Sequence, residues 1–161
     1  MDLRLLAATD AEAAVDLRRL ALTTDADAFA ERPESDPALN LEFVRERLAA
    51  SSIETGAVVI GAFALRLIGV VGLNRVTDTS DAARLWGFYV EPMQRTKGVG
   101  RALLDAALDC ATQMSGVVRV ELSVSERSMA AIRLYEVVGF ATSATVDGKR
   151  HMMYALHERG N

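Results

Sequence analysis

A glycine turn with basic residues beside it is the segment of this sequence best suited to binding a ligand. Residues 90–104 read Val-Glu-Pro-Met-Gln-Arg-Thr-Lys-Gly-Val-Gly-Arg-Ala-Leu-Leu, a predicted strand, turn and helix. Gly98 and Gly100 would let the backbone approach a ligand, and the first helical amides would lack internal partners. Positive charge comes from three neighbouring side chains: Arg95, Lys97 and Arg101. The helix dipole also favours an anion at this end, so the segment predicts a phosphate site.

The spacing of the glycines limits which phosphate ligand is expected. A dinucleotide-binding loop would need a third glycine where Leu103 stands, and a nucleoside-triphosphate loop would need Gly-Lys-Ser or Gly-Lys-Thr. Neither pattern occurs in the turn. On its own, a Gly-x-Gly is more simply interpreted as the start of a helix with solvated basic residues. The rest of the sequence therefore has to decide between this interpretation and a phosphate site.

A second motif supplies that context. Residues 131–140 read Ala-Ile-Arg-Leu-Tyr-Glu-Val-Val-Gly-Phe and follow the first motif after a predicted strand. Together the two motifs resemble the GCN5-related N-acetyltransferase (GNAT) superfamily. Residues 95–100 match its Gln/Arg-x-x-Gly-x-Gly/Ala pyrophosphate loop, and residues 131–140 match its Ala-x-x-Leu-Tyr-x-x-x-Gly-Phe signature. The resemblance implies an enzyme that transfers an acetyl or short acyl group from acetyl-CoA to a primary amine.

The resemblance also implies where coenzyme A would lie. Two splayed strands, residues 84–90 and 117–124, would hold the pantetheine arm between them. The main chain around three residues would bind this arm and polarise the thioester carbonyl: Phe88, Tyr89 and Val90. The pyrophosphate would lie against the turn, at Arg95, Thr96, Lys97, Gly98, Val99, Gly100 and Arg101. Ser128 stands where the family often has Asn; it could still cap the next helix.

Tyr135 matches the family position that often donates a proton to the departing coenzyme A thiolate. The alternative is a purely structural role, since Tyr135 shares a predicted apolar helix face with Leu134 and Val138. Both interpretations stay open at the level of sequence. Two other functions compete with that of an enzyme. The first is a coenzyme A-binding module that has lost catalysis. The second is a scaffold for another phosphate ligand, which does not explain why both motifs occur together.

No general base is evident for the amine. Arg84 stands where some members of the family carry a glutamate. An alkylammonium with a pKa near 10 is neutral in only about one molecule in a thousand at pH 7, so a proton path is needed. Glu126, Tyr89 or an ordered water chain could supply it.

The sequence does not favour a nucleophilic role for the single cysteine or a metal-binding role for the two histidines. Cys110 falls on the apolar stripe of a predicted helix, which argues against a covalent acyl-cysteine and favours direct attack by the acceptor. His151 and His157 are spaced unlike metal ligands, so we expect no metal.

The acceptor would be a small-molecule or peptide amine, and its site is the least defined. On a regular strand Arg84, Trp86 and Phe88 share one face, which could shape the acceptor cleft or pack in the core. Three residues of the polar segment before the second helix could border the same cleft or be solvated: Phe29, Glu31 and Glu34.

Strands and helices alternate along the chain in a way that would position these residues. Strands are predicted at residues 2–8, 58–64, 67–76, 84–90, 117–124, 140–146 and 150–156. Helices are predicted at 9–22, 40–50, 99–114 and 128–138, with Thr9 and Glu12 forming a capping box. The resemblance implies one α/β (α+β) domain over residues 1–161. Its central sheet is expected to be mixed, mostly antiparallel and six- to seven-stranded, with about four flanking helices.

Composition excludes several other functions. The 161 residues carry a formal net charge of −4, which gives no general attraction to nucleic acid or anionic membranes. One cysteine permits no disulfide within the chain and suits a reducing compartment. The N-terminus lacks a signal-peptide pattern, and residues 65–73 are too short to span a bilayer, so we expect a cytoplasmic protein. The resemblance is also compatible with a homodimer.

Overall fold

The structure, a computed structural model, describes residues 1–25, 35–77 and 81–158. These residues form seven strands and four α-helices, which confirms the predicted fold class. The strands are β1 (Asp2–Leu5), β2 (Ala57–Ala64), β3 (Arg66–Arg75), β4 (Ala82–Val90), β5 (Arg119–Ser125), β6 (Ala141–Val146) and β7 (Lys149–Ala155). The helices are α1 (Ala11–Thr24), α2 (Leu41–Ala50), α3 (Val99–Gln113) and α4 (Met129–Val138).

All seven strands join one sheet in the order β1-β2-β3-β4-β5-β7-β6. The predicted hairpins have tight turns: Leu65 joins β2 to β3 with φ 69°, and Asp147 and Gly148 join β6 to β7 with φ 52° and 76°. Two consecutive positive φ angles suit the right-handed twist of a hairpin. Because α3 crosses over between β4 and β5, these two strands run parallel, whereas the other pairs of the described sheet are antiparallel.

Alternate residues of the central strands pack into two separate cores. On one face, Val58 and Ile60 of β2 pack with α3, whose Leu103 and Leu108 are fully buried. On the other face, Val59 contacts the core formed by α1 and α2. Burial of each leucine or isoleucine contributes about 1.5–3 kcal/mol, so both faces fix the register of the sheet.

The start of α1 differs from the prediction. Thr9 does not cap this helix; it lies in a short 3-10 turn, Ala8–Asp10, and α1 begins at Ala11 with Asp10 in the capping position. The Asp10 carboxylate instead accepts a hydrogen bond from the Ala7 amide at 2.8 Å and two from Arg4, at 2.7 and 2.9 Å. The predicted box is wrong because the first helical turn begins at Ala8, so the carboxylate that bonds back to a main-chain amide is that of Asp10, at Ala7, and not that of Glu12.

We expect Asp10→Asn to lower the free energy of unfolding by about 1 kcal/mol at pH 7, since the Arg4 partner is half exposed. Hydrogen bonds from Arg4 lower the pKa of Asp10 below its ordinary value of 3.8, and partial burial opposes this shift. The ionised pair therefore stabilises the folded chain above that value, and the contribution is lost as the pH falls through the folded pKa.

Urea unfolding of Asp10→Asn and wild type at pH 7 and pH 3 tests this prediction. The difference between the two proteins should shrink at the lower pH. Asp16→Asn is the matched control, because Asp16 forms an exposed pair with Arg19 at 3.1 Å and should have little effect at either pH. An Asp10→Asn effect of equal size at both pH values would contradict the argument.

Candidate active site

The parallel pair of β4 and β5 opens into a V. Pairing is confined to Ala82↔Arg119, Ala83↔Val120 and Arg84↔Glu121, and no register continues beyond them. The Arg84 guanidinium donates to Glu121 Oε1 at 2.6 Å, so an ion pair holds the two strands together at the narrow end. Among the described residues, no strand pairs with the edge of β4 that faces β5 from Leu85 to Val90. Apart from the Val90 carbonyl, which accepts from Arg95, the main-chain groups on this edge are available to a ligand.

A bulge interrupts β4 inside this V. Val70 pairs with Tyr89 and Gly72 with Trp86, so Gly87 and Phe88 of β4 together face one residue of β3. Gly87 has φ +61°, a conformation that glycine adopts without strain. Such a bulge bends the strand and redirects the side chains that follow it.

The bulge separates Trp86 from Phe88. Trp86 and Tyr89 line a cavity against α1 and α2. Phe88 lies on the opposite side, where its ring centre is 5.8 Å from that of Tyr135. The prediction that Trp86 and Phe88 share one face is therefore wrong, because it assumed a regular pleat.

The glycine turn leads into α3 as predicted, and Gly98 occupies the capping position with φ +86°. No side chain caps the helix, and the first helical hydrogen bond runs from the Ala102 amide to the Gly98 carbonyl at 3.1 Å. Apart from Gly98 and its two neighbours in the chain, no atom of the described residues lies within 4 Å of the point where a β-carbon on Gly98 would stand. The open space and the outward amides before Ala102 suit an anion.

Gly100 serves a different purpose from Gly98. A β-carbon on Gly100 would lie 2.9 Å from Leu134 Cδ2 and 3.0 Å from Phe88 Cζ. Glycine at this position thus allows α3 to pack closely against α4 and β4. The same contact brings Phe88, and with it the bulge, under the glycine turn.

Arg95 is turned away from the open side of the turn. Its Nε donates to the Val90 carbonyl at 2.9 Å, and its Nη2 donates to Asp25 Oδ2 at 2.7 Å. Its guanidinium also lies 5.5 Å from the centre of the Tyr89 ring. The side chain therefore fastens the turn to the end of β4 and to the residue after α1, and only its main chain is left to meet a phosphate.

The residues after Arg95 are exposed. Thr96 has φ 62° and donates from its hydroxyl to the Arg95 carbonyl at 2.6 Å. Lys97 and Arg101 project from the surface and form no ion pair within the described part of the chain. Val99 is buried, with 4% of its surface exposed. The local positive charge therefore comes from Lys97 and Arg101.

Glu91 is a buried residue at the strand–turn junction that the sequence did not single out. Its Oε1 accepts a hydrogen bond from Arg66 at 2.6 Å, and its amide donates to the Ile68 carbonyl at 3.0 Å. In the sequence, Glu91 stands between Val90 and a proline and looks like an ordinary carboxylate in a loop. Its role is evident only from its hydrogen bonds to Arg66 and Ile68 of β3. Glu91 anchors the turn to the sheet.

Tyr135 is packed in an aromatic cluster on α4. It is 7% exposed, and its ring also lies 5.9 Å from that of Phe140. Its hydroxyl has no hydrogen-bond partner among the described residues. Burial raises the pKa of Tyr135 well above its ordinary value of 10.0, so the hydroxyl remains protonated at neutral pH and has a proton to donate.

Ser128 occupies the capping position of α4, as predicted, but its side chain makes no capping hydrogen bond. Ser125 Oγ instead accepts from the Arg127 amide at 3.2 Å, ahead of the helix. At its other end α4 stops at Gly139 with φ +124°, where the Gly139 and Phe140 amides both donate to the Tyr135 carbonyl. At the C-terminal end of α4 two hydrogen bonds therefore hold the main chain of Tyr135, whereas the Ser128 side chain makes no capping hydrogen bond at the other end.

The two side chains considered as proton acceptors lie in different places. The Tyr89 hydroxyl is 2.7 Å from Thr24 Oγ1 and its ring lines the cavity beside α1 and α2. Glu126 follows β5 and lies 3.8 Å from Arg150 Nη2. Only Tyr89 borders the cavity.

The remaining candidates carry no evident chemistry. Cys110 is half-buried on α3, and burial raises the pKa of its thiol. His151 Nδ1 lies 2.8 Å from Ser123 Oγ. In residues 1–25, 35–77 and 81–158 no group of three metal-ligating side chains is placed to hold an ion, and no helix is long and apolar enough to cross a membrane. Phe29, Glu31 and Glu34 lie outside the described residues.

The cavity between α1, α2 and the sheet has a volume of about 60 Å³ and reaches the bulge at Gly87. Two arginines line it, Arg18 from α1 and Arg47 from α2. Neither arginine was predicted as a site residue from the sequence, because each looks like an ordinary charge on an amphipathic helix. The sequence gives one indication that Arg47 lies near the buried side of α2: it follows Val44 by three residues and is therefore beside the apolar stripe.

Solved structures with this fold are numerous, and their likeness extends over nearly the whole chain. The acetyltransferase of GNAT family from Streptococcus pneumoniae is 20% identical, with a TM-score of 0.75 over 96% of this chain and 98% of its own. The yncA structure from Salmonella typhimurium, with its cofactor acetyl-CoA, is 20% identical, with a TM-score of 0.78 over 97% and 94%. The PaiA N-acetyltransferase from Thermoplasma acidophilum, in complex with coenzyme A, is 21% identical, with a TM-score of 0.77 over 96% and 99%.

At such identities the likeness to solved structures establishes the fold alone. Curated protein sequences give no match. The sequence profile described as the acetyltransferase (GNAT) family matches residues 18–140, which is more than half of the chain and includes both motifs. The chain therefore belongs to the acetyltransferase (GNAT) family.

Proposed function

We propose that this protein transfers an acetyl group from acetyl-CoA to a primary amine, by direct attack of the amine in a ternary complex. The observation that carries the proposal is the V between β4 and β5, with the open Gly98 turn at its wide end and a protonated Tyr135 beside it. Family membership and the coenzyme A ligands of two structures with the same fold support it.

The residues present suit coenzyme A. The amides ahead of Ala102 and the charges of Lys97 and Arg101 would hold the pyrophosphate. The unpaired edge of β4, including the main chain of Phe88, Tyr89 and Val90, would hold the pantetheine. When bound, acetyl-CoA supplies an acetyl thioester. Arg95 is a positioning residue here, because its guanidinium is committed to Asp25 and to the Val90 carbonyl.

The chain can stabilise negative charge and supply a proton. A main-chain amide on the free edge of β4, aimed at the carbonyl oxygen as charge develops, would lower the barrier by about 2.7–4 kcal/mol. The Tyr135 hydroxyl keeps its proton at neutral pH and would donate it to the departing sulfur. Ring contacts with Phe88 link this hydroxyl to the bulge.

The acceptor would approach from the cavity on the α1 and α2 side. Tyr89 lines that cavity, and its hydroxyl forms a hydrogen bond with Thr24. This pair offers a path for the proton that the amine must lose, whereas Glu126 is placed elsewhere and faces Arg150. Cys110, with its raised pKa, is poorly suited to act as a nucleophile, which favours direct attack.

Calorimetric titration with acetyl-CoA, coenzyme A and ATP tests the proposal, using wild type and Gly98→Trp. We expect the coenzyme A species to bind and ATP not to bind. The indole would fill the open space at the turn, so Gly98→Trp should lose more than about 100-fold in affinity. No binding of acetyl-CoA to wild type at millimolar concentration would refute the proposal.

Gly116→Trp is the matched control for Gly98→Trp. Gly116 has φ +80°, is exposed and lies beyond the opposite end of α3. Both substitutions impose the strain of a left-handed conformation, about 1–2 kcal/mol, but only one obstructs the turn. Gly116→Trp should therefore retain the wild-type affinity for acetyl-CoA. Binding without transfer to any amine in a broad screen would instead identify a coenzyme A-binding module without catalysis.

A further inference from the structure

Arg47 lines the cavity on the α1 and α2 side and has no anionic partner there. Its Cζ lies 4.8 Å from the centre of the Trp86 ring and 4.6 Å from that of Phe43. The guanidinium is half-buried and donates no hydrogen bond to any described residue. Burial and the nearby charge of Arg18 lower the pKa of Arg47, and the charge of Asp36 opposes this shift. A guanidinium carries five donors, so an unpaired one beside an apolar cavity is a ready site for an anion.

The neighbouring carboxylate is already used. Asp36 Oδ2 accepts a hydrogen bond from Arg18 Nε at 2.6 Å, and Asp36 Oδ1 accepts one from the Ala38 amide at 2.9 Å. The Asp36 side chain is 2% exposed, so it is held in this arrangement. Asp36 therefore bonds directly to Arg18 and acts on Arg47 only through its charge, so the Arg47 guanidinium keeps its hydrogen-bond donors for a ligand.

The rest of the cavity is apolar. Its wall includes Leu17, Val44, Leu48 and Val70, and no Asp or Glu is among the described residues that line it. The face of the Trp86 ring, which could otherwise attract an ammonium group, is occupied by Arg47. A ligand with several positive charges would thus meet a guanidinium and no compensating carboxylate, whereas an apolar ligand with one carboxylate would satisfy both features.

We propose that the acceptor is an amine that also carries a carboxylate and an apolar side chain, such as an apolar L-α-amino acid. This inference rests on the proposed function. The carboxylate would pair with the two-pronged face of Arg47, the side chain would lie against the apolar wall, and the amine would point to Gly87 and Tyr89. The acetyl C–S bond would break as the C–N bond forms, one proton leaving the amine and one joining the sulfur.

Trp86 allows binding to be measured without chemistry, because it is the single tryptophan of the chain and lines the cavity. We would titrate the protein with L-leucine and L-phenylalanine, and with isopentylamine and 2-phenylethylamine, which lack only the carboxylate. Quenching of the Trp86 fluorescence should show the amino acids binding about 30-fold more tightly. The values of kcat/KM for acetyl transfer should show the same preference.

Substitution of Arg47 tests whether this side chain causes the preference for ligands with a carboxylate. Arg47→Gln should reduce it to about threefold or less, and Arg47→Lys should retain part of it, since lysine keeps the charge but not the planar fork. Arg45→Gln is the matched control: Arg45 lies on the same helix, 3.3 Å from Glu42, and does not line the cavity. It should leave the preference unchanged.

Failure of this inference differs visibly from failure of the proposed function. Equal or tighter binding of the two carboxylate-free amines or of spermidine would overturn the inference while acetyl transfer stands. A preference that survives in Arg47→Gln would overturn it as well. Loss of the proposed function would appear separately, as no calorimetric binding of acetyl-CoA to the wild-type protein.

Discussion

Replacing Tyr135 with Phe is expected to lower kcat by about 100- to 1,000-fold, the size of effect typical of a lost general acid. The ring packs between Phe88 and Phe140, and the hydroxyl has no protein partner, so the substitution removes no described hydrogen bond. The free energy of unfolding should change by less than about 0.5 kcal/mol. Affinity for acetyl-CoA should stay within about threefold, because the turn and β4 are untouched.

The pH dependence gives a second test of the same residue. Burial keeps the pKa of Tyr135 above its ordinary value of 10.0, so the hydroxyl stays protonated below that value. Between neutral pH and pH 10.0, the wild-type rate should therefore not fall through ionisation of Tyr135. Turnover of Tyr135→Phe equal to wild type across this range would exclude Tyr135 as the acid.

Tyr154→Phe is the matched control for this experiment. Tyr154 is also buried, and its ring lies 5.5 Å from that of Phe140, in the same aromatic cluster. It stands on β7, and among the described residues its ring pairs with Phe140 and not with Phe88. If Tyr154→Phe lowered kcat as strongly as Tyr135→Phe, the effect would come from the packing of the cluster and not from a proton at Tyr135.

Gly72→Ala is expected to destabilise the fold by about 2 kcal/mol and to weaken acceptor binding at the same time. Gly72 on β3 faces Trp86 on β4, and the indole lies flat across it. A β-carbon would stand 2.1 Å from Trp86 Cε2 and 2.4 Å from Cζ2. The overlap outweighs the gain of about 0.4–1 kcal/mol that alanine normally brings in place of a strand glycine. Trp86 would have to leave the wall of the cavity.

A double-mutant cycle with Trp86→Ala isolates this contact. In the Trp86→Ala background the space above Gly72 is free, so Gly72→Ala should cost little or stabilise. Urea unfolding of the four proteins should then give a coupling of about 1–3 kcal/mol. Gly72→Ala alone should also raise the KM for the acceptor, with calorimetric affinity for acetyl-CoA preserved. Equal costs in both backgrounds would show that the two residues do not interact as the structure indicates.

Local sequence signals predicted most of the secondary structure because each depends on neighbours along the chain. Asn40 begins α2 and accepts from the Phe43 amide at 2.9 Å, and Gly139 ends α4 in the left-handed region. The turns at Leu65 and Asp147 followed from short breaks between β-branched runs. The local signal at Thr9 was misleading because the helical turn begins one residue earlier and Asp10 bonds back to the Ala7 amide. Ser128 lies at the predicted capping position, but its side chain makes no capping hydrogen bond.

The sequence by itself determined the family, the Gly98 turn before α3 and the position of Tyr135 on α4, since these depend on motifs within one strand–helix unit. Only the tertiary structure decided that β4 bulges at Gly87, because a bulge is a mismatch in pairing with β3, and a glycine inside a strand indicates a bulge without fixing its place in the pairing. The cavity likewise required Arg47 and Trp86 to meet from different elements. Side chains distant in sequence become a site only when packing fixes which face each presents.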